Sequence, residues 1–372
     1  MLRRRHAGIL AAVGLLVAGC ADNAPQDTLD PAGPSARTID NLFTPVLWIA
    51  VAVFVLVQGL IVGFIIKYRQ KKGDEESLPG QIHGNTRLEV SWTILPAVVL
   101  AGVAVFTVPV IFELNEKPDS GIEVAVEGQQ FWWSYRYDAA AGATVRPFET
   151  ANELHIPAGE PVYLTLTSND VIHSFWAPRL NGKRDVVPGR VHHWTLEADE
   201  PGVYAGQCAE FCGTSHANMR LKVVAHDRTG YDDWLTDQQR EGTEPAEIVE
   251  ARQAPTTTTT TATATDGAAA EEDSPDGDPA TGFALFEQKG CAGCHQVDGV
   301  WEEVAADSPA APNLTHLFDR DCFAGCIYNL DDRNEMEAWL RDPQRKAGSL
   351  MVIGQLTEAE IDDLYAYLRT LD

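Results

Sequence analysis

The stretch Gln207–Met219, QCAEFCGTSHANM, sets Cys208, Cys212, His216 and Met219 in Cys-x3-Cys-x3-His-x2-Met spacing. A second histidine, His173, stands upstream in VIHSFWAP. Two thiolates, two imidazoles and a thioether form a soft-to-borderline donor set that suits copper in electron transfer. A disulfide between Cys208 and Cys212 would use part of the set. A single zinc ion would accept two Cys and two His but leaves Met219 without a role. A mononuclear blue copper site needs only one thiolate. Two thiolates can bridge two copper ions, each ion then taking one histidine and one weak ligand.

A second group lies near the C-terminus. Cys291-Ala292-Gly293-Cys294-His295 is a Cys-x-x-Cys-His segment. This is the attachment pattern of c-type haem, with two thioethers to the vinyl groups and the histidine on the iron. The sixth iron ligand must come from downstream. Met336 sits in NEMEAWL, an amphipathic helical pattern, and reads as core or surface. Met351 sits in KAGSLMVIG, a loop before the last helix, and is the expected ligand. Cys322 and Cys326, in RDCFAGCIYNL, have no histidine after them, so they are not a second haem site. In an oxidising compartment they form a local disulfide or stay as free thiols; the sequence assigns them no role.

Both groups need scaffolds. Residues 1–19, with Arg3, Arg4 and Arg5 before an apolar run, read as a secretory signal. Val17-Ala18-Gly19-Cys20 resembles a bacterial lipobox, which makes Cys20 the lipidated mature N-terminus, and 20–41 reads as a polar outer tether. Residues 42–118 hold two apolar runs, about 44–66 and 92–112, each long enough to span a bilayer. Lys67, Arg69, Lys71 and Lys72 follow the first run and place that end in the cytoplasm. Pro96 lies in the first turns of the second run, whereas Pro109 ends or kinks its far end. The result is a transmembrane hairpin with the N-terminus and everything after Glu113 outside. Residues 119–235 carry β runs such as IEVAVEG, FWWSYRY, VYLTLTS and RLKVVAH, the pattern of an all-β sandwich. Residues 236–280 hold six consecutive threonines, Thr256 to Thr261, then an acidic run, and read as an extended linker. Residues 281–372 are helical in pattern, and Thr357 to Glu360 forms a capping box for the last helix.

The totals exclude one class of partner. Lys plus Arg is 28 and Asp plus Glu is 54 in 372 residues, a formal charge of −26. Nucleic-acid-binding surfaces are basic, so no nucleic acid is expected; basic proteins are.

From the signal to about residue 235 the sequence resembles cytochrome c oxidase subunit II. HSFWAP, DVVPGR, GQCAEFCGTSHANM and, in the second span, LEVSWTILPA carry the resemblance. It implies a cupredoxin sandwich holding a dinuclear copper centre, CuA, with ligands His173, Cys208, Cys212, His216, Met219 and the carbonyl of Glu210. It also implies that the Glu210 carboxylate reaches a magnesium or manganese ion shared with subunit I. Phe131, Trp132 and Trp133, in GQQFWWSYRYD, match an aromatic segment that lies over the copper and receives electrons from soluble cytochrome c. The family's first tryptophan is Phe131 here, so Trp132 or Trp133 is the expected docking point for the haem. Glu89, three residues before Trp92, matches a glutamate through which protons pass into subunit I. Met351 and Pro312-Asn313-Leu314 resemble the methionine loop and the histidine-supporting segment of class I cytochromes c. A fused, all-α haem c domain makes the whole resemble subunit II of a bacterial caa3-type oxidase in the plasma membrane. Its implied partners are subunit I, with haem a and a haem–copper site, subunit III, and an upstream cytochrome c or bc-type complex. Two other readings remain open at this point. One is a CuA and haem c subunit serving nitric or nitrous oxide reduction; the other is a non-enzymatic copper-delivery protein.

Overall fold

The computed structural model describes residues 24–69, 80, 84–138, 146–242, 244–246, 248, 277–302 and 311–371. The signal and Cys20 lie outside the described residues, as does 249–276 of the linker.

Two long helices come first, α1 (Pro34–Tyr68) and α2 (Thr86–Leu114), with mean hydropathy of 2.9 and 2.5 in their most apolar windows and no burial there. Unburied apolar helices of this length suit a bilayer, where lipid replaces a protein core. Asn85 caps α2, its side-chain oxygen accepting from the Arg87 and Leu88 amides at 3.1 and 3.3 Å. Pro109 does not end α2, which continues to Leu114. At 1.5 Å per residue α1 is about 50 Å long, more than the ~30 Å hydrocarbon core requires. Its first turns therefore stand above the membrane, and they are not a free tether. The Ala32 amide donates to the Arg179 carbonyl (2.7 Å), and Asp199 donates to the Ala32 carbonyl (2.9 Å). Arg37 pairs with Asp199, Arg179 with Asp30 at 2.6 Å, and Ala36 is buried. The described part of 20–41 thus docks on the β domain. Composition could not announce this, because each partner lies far away in sequence.

The β domain is two five-stranded sheets. One runs β3 (Phe148–Ala151), β2 (Trp132–Tyr137), β1 (Ile122–Gln129), β5 (Val162–Ser168), β8 (His192–Leu196). The other runs β4 (Glu153–Pro157), β10 (Arg220–His226), β9 (Gly202–Cys208), β6 (His173–Trp176), β7 (Arg184–Val186). Burial alternates along β5 and β10, so each sheet turns one face inward. Val126, Leu154, Ile156, Leu164, Leu166, Phe175 and Val223 fill the space between the sheets. Helix α3 (Arg228–Asp237) closes one side, with Trp234 stacked on His155 at 4.3 Å.

The C-terminal unit packs α4 (Pro279–Gln288) on α6 (Glu358–Leu368), with α5 (Arg333–Arg341) beside α6. Phe283 and Phe286 meet Tyr367 edge-on at 5.3 and 5.4 Å. The helices cross so closely that a Cβ on Gly282 would lie 1.9 Å from the Asp363 carbonyl oxygen, hence a glycine there. Helical periodicity does not announce the short hairpin of β11 (Cys322–Phe323) and β12 (Tyr328–Asn329), nor the disulfide joining Cys322 to Cys326. Residues at the start of the expected linker also pack on this unit. Gly242 donates to the Asp298 carbonyl at 2.9 Å, and the Arg240 carbonyl lies 3.1 Å from His316 Nε2.

Candidate metal and haem sites

The β9–β10 pair builds the copper-type donor set. Antiparallel register sets Gln207 opposite Arg220, and Cys208 donates its amide to the Met219 carbonyl at 2.8 Å. The chain between them must loop out, and Cys212 and His216 ride on that loop. Strand β6 pairs with β9 through Phe175 and Cys208, which brings fully buried His173 beside the loop. The resulting distances are 3.8 Å from Cys208 Sγ to Cys212 Sγ, 3.8 Å from Cys208 Sγ to His173 Nδ1 and 3.6 Å from Cys212 Sγ to His216 Nδ1. Met219 Sδ is 3.8 Å from Cys212 Sγ, and the Glu210 carbonyl oxygen is 3.3 Å from Cys208 Sγ. Donors bound at about 2.0–2.3 Å to one tetrahedral ion stand about this far apart. Each sulfur has its own imidazole and its own weak donor. That division fits two ions bridged by two thiolates better than one ion on four ligands. It also leaves no S–S bond between Cys208 and Cys212.

Electrostatics agrees with a cation between the sulfurs. The hydrogen bond between Cys212 and Cys208 pushes the Cys208 thiol down, against the opposing effect of burial. The same Cys208–Cys212 bond, reinforced by burial, pushes Cys212 upward. As a dithiolate, two buried sulfurs 3.8 Å apart would repel each other, and a bound cation would relieve that charge.

Asp170, which sequence reasoning missed, sets the imidazole. Its carboxylate lies 2.8 Å from His173 Nε2 and accepts from the Gln130 and Val171 amides at 2.7 and 2.6 Å. With Nε2–H donating there, Nδ1 carries the lone pair toward Cys208. Asp170→Ala should weaken copper retention by roughly 10- to 100-fold, the usual cost of losing such a partner. Titrating the bound copper with a chelator checks this; wild-type retention would reject the role. The Glu210 carboxylate is half exposed and pairs with Lys183 Nζ at 4.0 Å.

The haem-type residues converge on a cavity of about 410 Å³. Cys291, Cys294, His295 and Met351 all line it, with Leu314, Phe323 and Leu368 as apolar wall. His295 Nδ1 lies 2.9 Å from the Pro312 carbonyl oxygen, so Nδ1–H donates there and Nε2 is the nitrogen left to bind iron. Burial pushes this imidazole down, the Pro312 bond opposing, which keeps it neutral and able to ligate. Met336 also touches the cavity but is buried in the core on α5. Arg320 supplies an independent test of fit. It lines the cavity, is buried, donates from one terminal nitrogen to the Asn313 carbonyl at 2.7 Å, and its Nε has no partner among the described residues. Burial pulls its guanidinium down to about 10. A buried cation with an unpaired N–H on a largely apolar wall fits the carboxylate edge of a haem. Nothing in the local sequence RDCF marks it.

The structure divides the aromatic segment. Phe131 and Trp132 line the haem-type cavity. Trp133 does not; it is fully buried, with its ring edge-on to Phe175 at 5.5 Å and 5.9 Å from the His173 ring. Of the three aromatics, Phe131 and Trp132 thus stand on the cavity wall and Trp133 lies behind them in the core. Glu89 lies exposed in the first turn of α2, at the end away from the β domain.

Comparison with known proteins follows this division of the chain. Residues 22–110 match the transmembrane domain of cytochrome c oxidase subunit II, 138–226 its periplasmic domain, and 279–372 the cytochrome c family. The chain is 36% identical to cytochrome c oxidase subunit 2 of Alkalihalophilus pseudofirmus, over 97% of this chain and 95% of that one. It is 32% identical to the same subunit of a Bacillus species, strain PS3, over 96% and 95%. Quinol oxidase subunit 2 of Bacillus anthracis is 29% identical over 61% of this chain and 77% of that one. Among solved structures, the periplasmic domain of subunit II of the Bradyrhizobium japonicum cytochrome oxidase matches 34% of this chain and 96% of that one, at 27% identity and a TM-score of 0.30. With a membrane hairpin, a β domain carrying the copper donors and a C-terminal cytochrome c domain, the chain belongs to the cytochrome c oxidase subunit II family.

Proposed function

We propose that this chain takes electrons at a haem c, passes them to a dinuclear copper centre, and delivers them to haem a of subunit I. There oxygen is reduced to water with proton pumping. The observation that carries the reading is the paired donor set, two sulfurs 3.8 Å apart with a separate imidazole on each.

Cys208 and Cys212 would bridge the coppers, with His173, His216, Met219 and the Glu210 carbonyl completing the ligand set. A dinuclear centre supplies one-electron transfer with little change of geometry. The chain contributes the rigidity for that: His173, Cys208 and Met219 sit at the ends of strands of one sheet packed against the other, and Cys208, Cys212, Met219 and His173 are all buried from water. Cys291 and Cys294 would hold the haem covalently, with His295 and Met351 on its iron and Arg320 at its carboxylate edge. Phe131 and Trp132 form the wall between the two sites, with Trp133 behind them against His173. The Glu210 carboxylate would share a magnesium or manganese ion with subunit I. Glu89 would stand at a proton path on the cytoplasmic side, and Cys20 would anchor an outer N-terminus. Subunit III and an upstream cytochrome c or bc-type complex complete the expected partners. The hairpin favours this reading over a nitric or nitrous oxide reductase subunit, and the haem site favours it over copper delivery.

Visible, near-infrared and electron paramagnetic resonance spectra of the purified complex test it, together with oxygen uptake from ascorbate and a mediator. A haem c band, a mixed-valence copper band and hyperfine structure from two equivalent coppers are expected. A single-copper signal, or spectra intact without oxygen uptake, would overturn the proposal.

A further inference from the structure

The disulfide-closed loop Cys322–Cys326 lends Phe323 to the haem-type wall. Its position gives it a further part. The loop leaves the haem unit and seats on the β domain at the foot of the copper loop. On one flank, Glu153 Oε1, itself 1% exposed, accepts from the Asp321 and Cys322 amides, both at 3.0 Å. Lys222 pairs with Asp321 at 2.9 Å beside them. At the tip, the Gly325 carbonyl accepts from the Arg220 amide at 3.0 Å. Arg220 is the residue after Met219, so the loop tip holds the backbone next to a copper donor. The approach permits no side chain. A Cβ on Gly325 would lie 2.5 Å from the Asn218 carbonyl oxygen and 2.8 Å from that of Phe131, and its φ of +76° also favours glycine.

Lys346 completes the contact. It is 5% exposed, and its Nζ donates to the Ala324 carbonyl at 2.8 Å and to the Phe131 carbonyl at 2.7 Å. One acceptor is in the disulfide loop and the other is in the aromatic segment of the β domain. Burial pushes this amine down to about 7, the Cys212 thiol opposing. A neutral amine still has two N–H donors, so both carbonyls are satisfied in either protonation state. The chain then runs from Lys346 to Met351 on the cavity wall, and on the way the Ala347 carbonyl accepts from the Ser215 hydroxyl, next to His216.

We propose that the disulfide-closed loop Cys322–Cys326, with Lys346, is the docking element that fixes the haem domain on the rim of the copper loop. It rests on the reading that haem and copper occupy the sites described above. The disulfide gives a short loop one shape, so that it can present consecutive carbonyls and amides to the partner surface. Electron tunnelling weakens steeply with distance, and this contact sets the distance. Without it the haem domain would keep only contacts farther from the copper loop, among them Arg146 to Asp298 at 3.6 Å and Gly242 to the Asp298 carbonyl at 2.9 Å.

The test uses the intact oxidase with Cys322→Ser/Cys326→Ser and, separately, Lys346→Met. Lys346→Met leaves the loop closed and decides the matter if the double variant fails to acquire haem. Hydrogen exchange at the Arg220, Asp321 and Cys322 amides reports docking without reference to either cofactor. Rapid reduction of haem c followed by copper reduction reports transfer. Both variants should speed exchange at these amides and slow haem-to-copper transfer, each by about tenfold or more, with haem c and copper spectra unchanged. Wild-type exchange and transfer would overturn the proposal. Faster exchange with unchanged transfer would equally overturn it, because the contact would then not set the distance. Missing haem c or copper spectra in the unmodified oxidase would instead bring down the functional reading, and the exchange data alone would then judge the docking.

Discussion

Cys212→Ser should abolish the dinuclear copper signal and cut electron delivery from haem c to subunit I by about a hundredfold or more, equivalent to ~2.7 kcal/mol of barrier. The sulfur of Cys212 stands 3.8 Å from Cys208 Sγ, 3.6 Å from His216 Nδ1 and 3.8 Å from Met219 Sδ. It is therefore the donor that gathers one half of the site. A serine oxygen is a hard, protonated donor at neutral pH and cannot bridge two copper ions as a thiolate does. The fold should survive, since the change is nearly isosteric and the loop neck is held by backbone bonds, Cys208 amide to Met219 carbonyl and the Gln130 side chain to the Cys212 carbonyl. Haem c, tens of residues away in sequence and attached through Cys291 and Cys294, should be reduced normally and then stay reduced. The measurement is copper content with the near-infrared spectrum, followed by the rate of haem c reoxidation. A mixed-valence band that persists in the variant would show that Cys212 is not a bridging ligand.

How much of this was legible depends on how local each feature is. Cys208, Cys212, His216 and Met219 lie within one loop, so their spacing alone suggested one site, and His173 was reachable because HSFWAP is distinctive. Cys291, Cys294 and His295 are contiguous. Residues whose meaning lies in a distant partner were not legible. Asp170 is an ordinary carboxylate in a turn until β6 brings His173 over it. Arg320 and Lys346 look like surface cations in a polar stretch, yet both are buried. The helix start at Pro34–Asp40 reads as a tether because its anchors, Asp199 and Leu180, come from the far side of the β domain. The aromatic run FWWSYRY shows a strand but not its facing. Alternation along β2 turns Trp132 and Trp133 to opposite sides, Trp132 to the haem-type wall and Trp133 into the core, while Phe131 precedes the strand and reaches the wall from the loop. Cys322 and Cys326 were visible as a pair, but a docking role needs the surface they meet.

The haem iron's sixth ligand is the other large effect. Met351→Ala should abolish the sulfur-to-iron absorption of the ferric protein and lower the haem potential by on the order of 0.1 V, within the ~0.8 V range that axial ligands command. A thioether stabilises ferrous iron more than water or a second nitrogen base does, so its loss shifts the couple toward ferric. The loop is built to present it: Gln344 Nε2 donates to the Ser349 and Met351 carbonyls at 3.1 and 3.0 Å, and the Met351 amide donates to Ser349 Oγ at 3.3 Å. That frame leaves the side chain on the cavity wall shared with His295. Met336 is the control because it reaches the same cavity from α5 while packed in the core at 3% exposure. Met336→Leu conserves volume and should cost less than about 1.5 kcal/mol of stability, with the haem spectrum and potential intact. Both variants should keep haem covalently attached, since the cysteines are untouched. Retention of the sulfur-to-iron band in Met351→Ala together with its loss in Met336→Leu would move the ligand to α5. The thioether would then have to leave the core to reach the iron, and the Met351 loop would be left with packing alone.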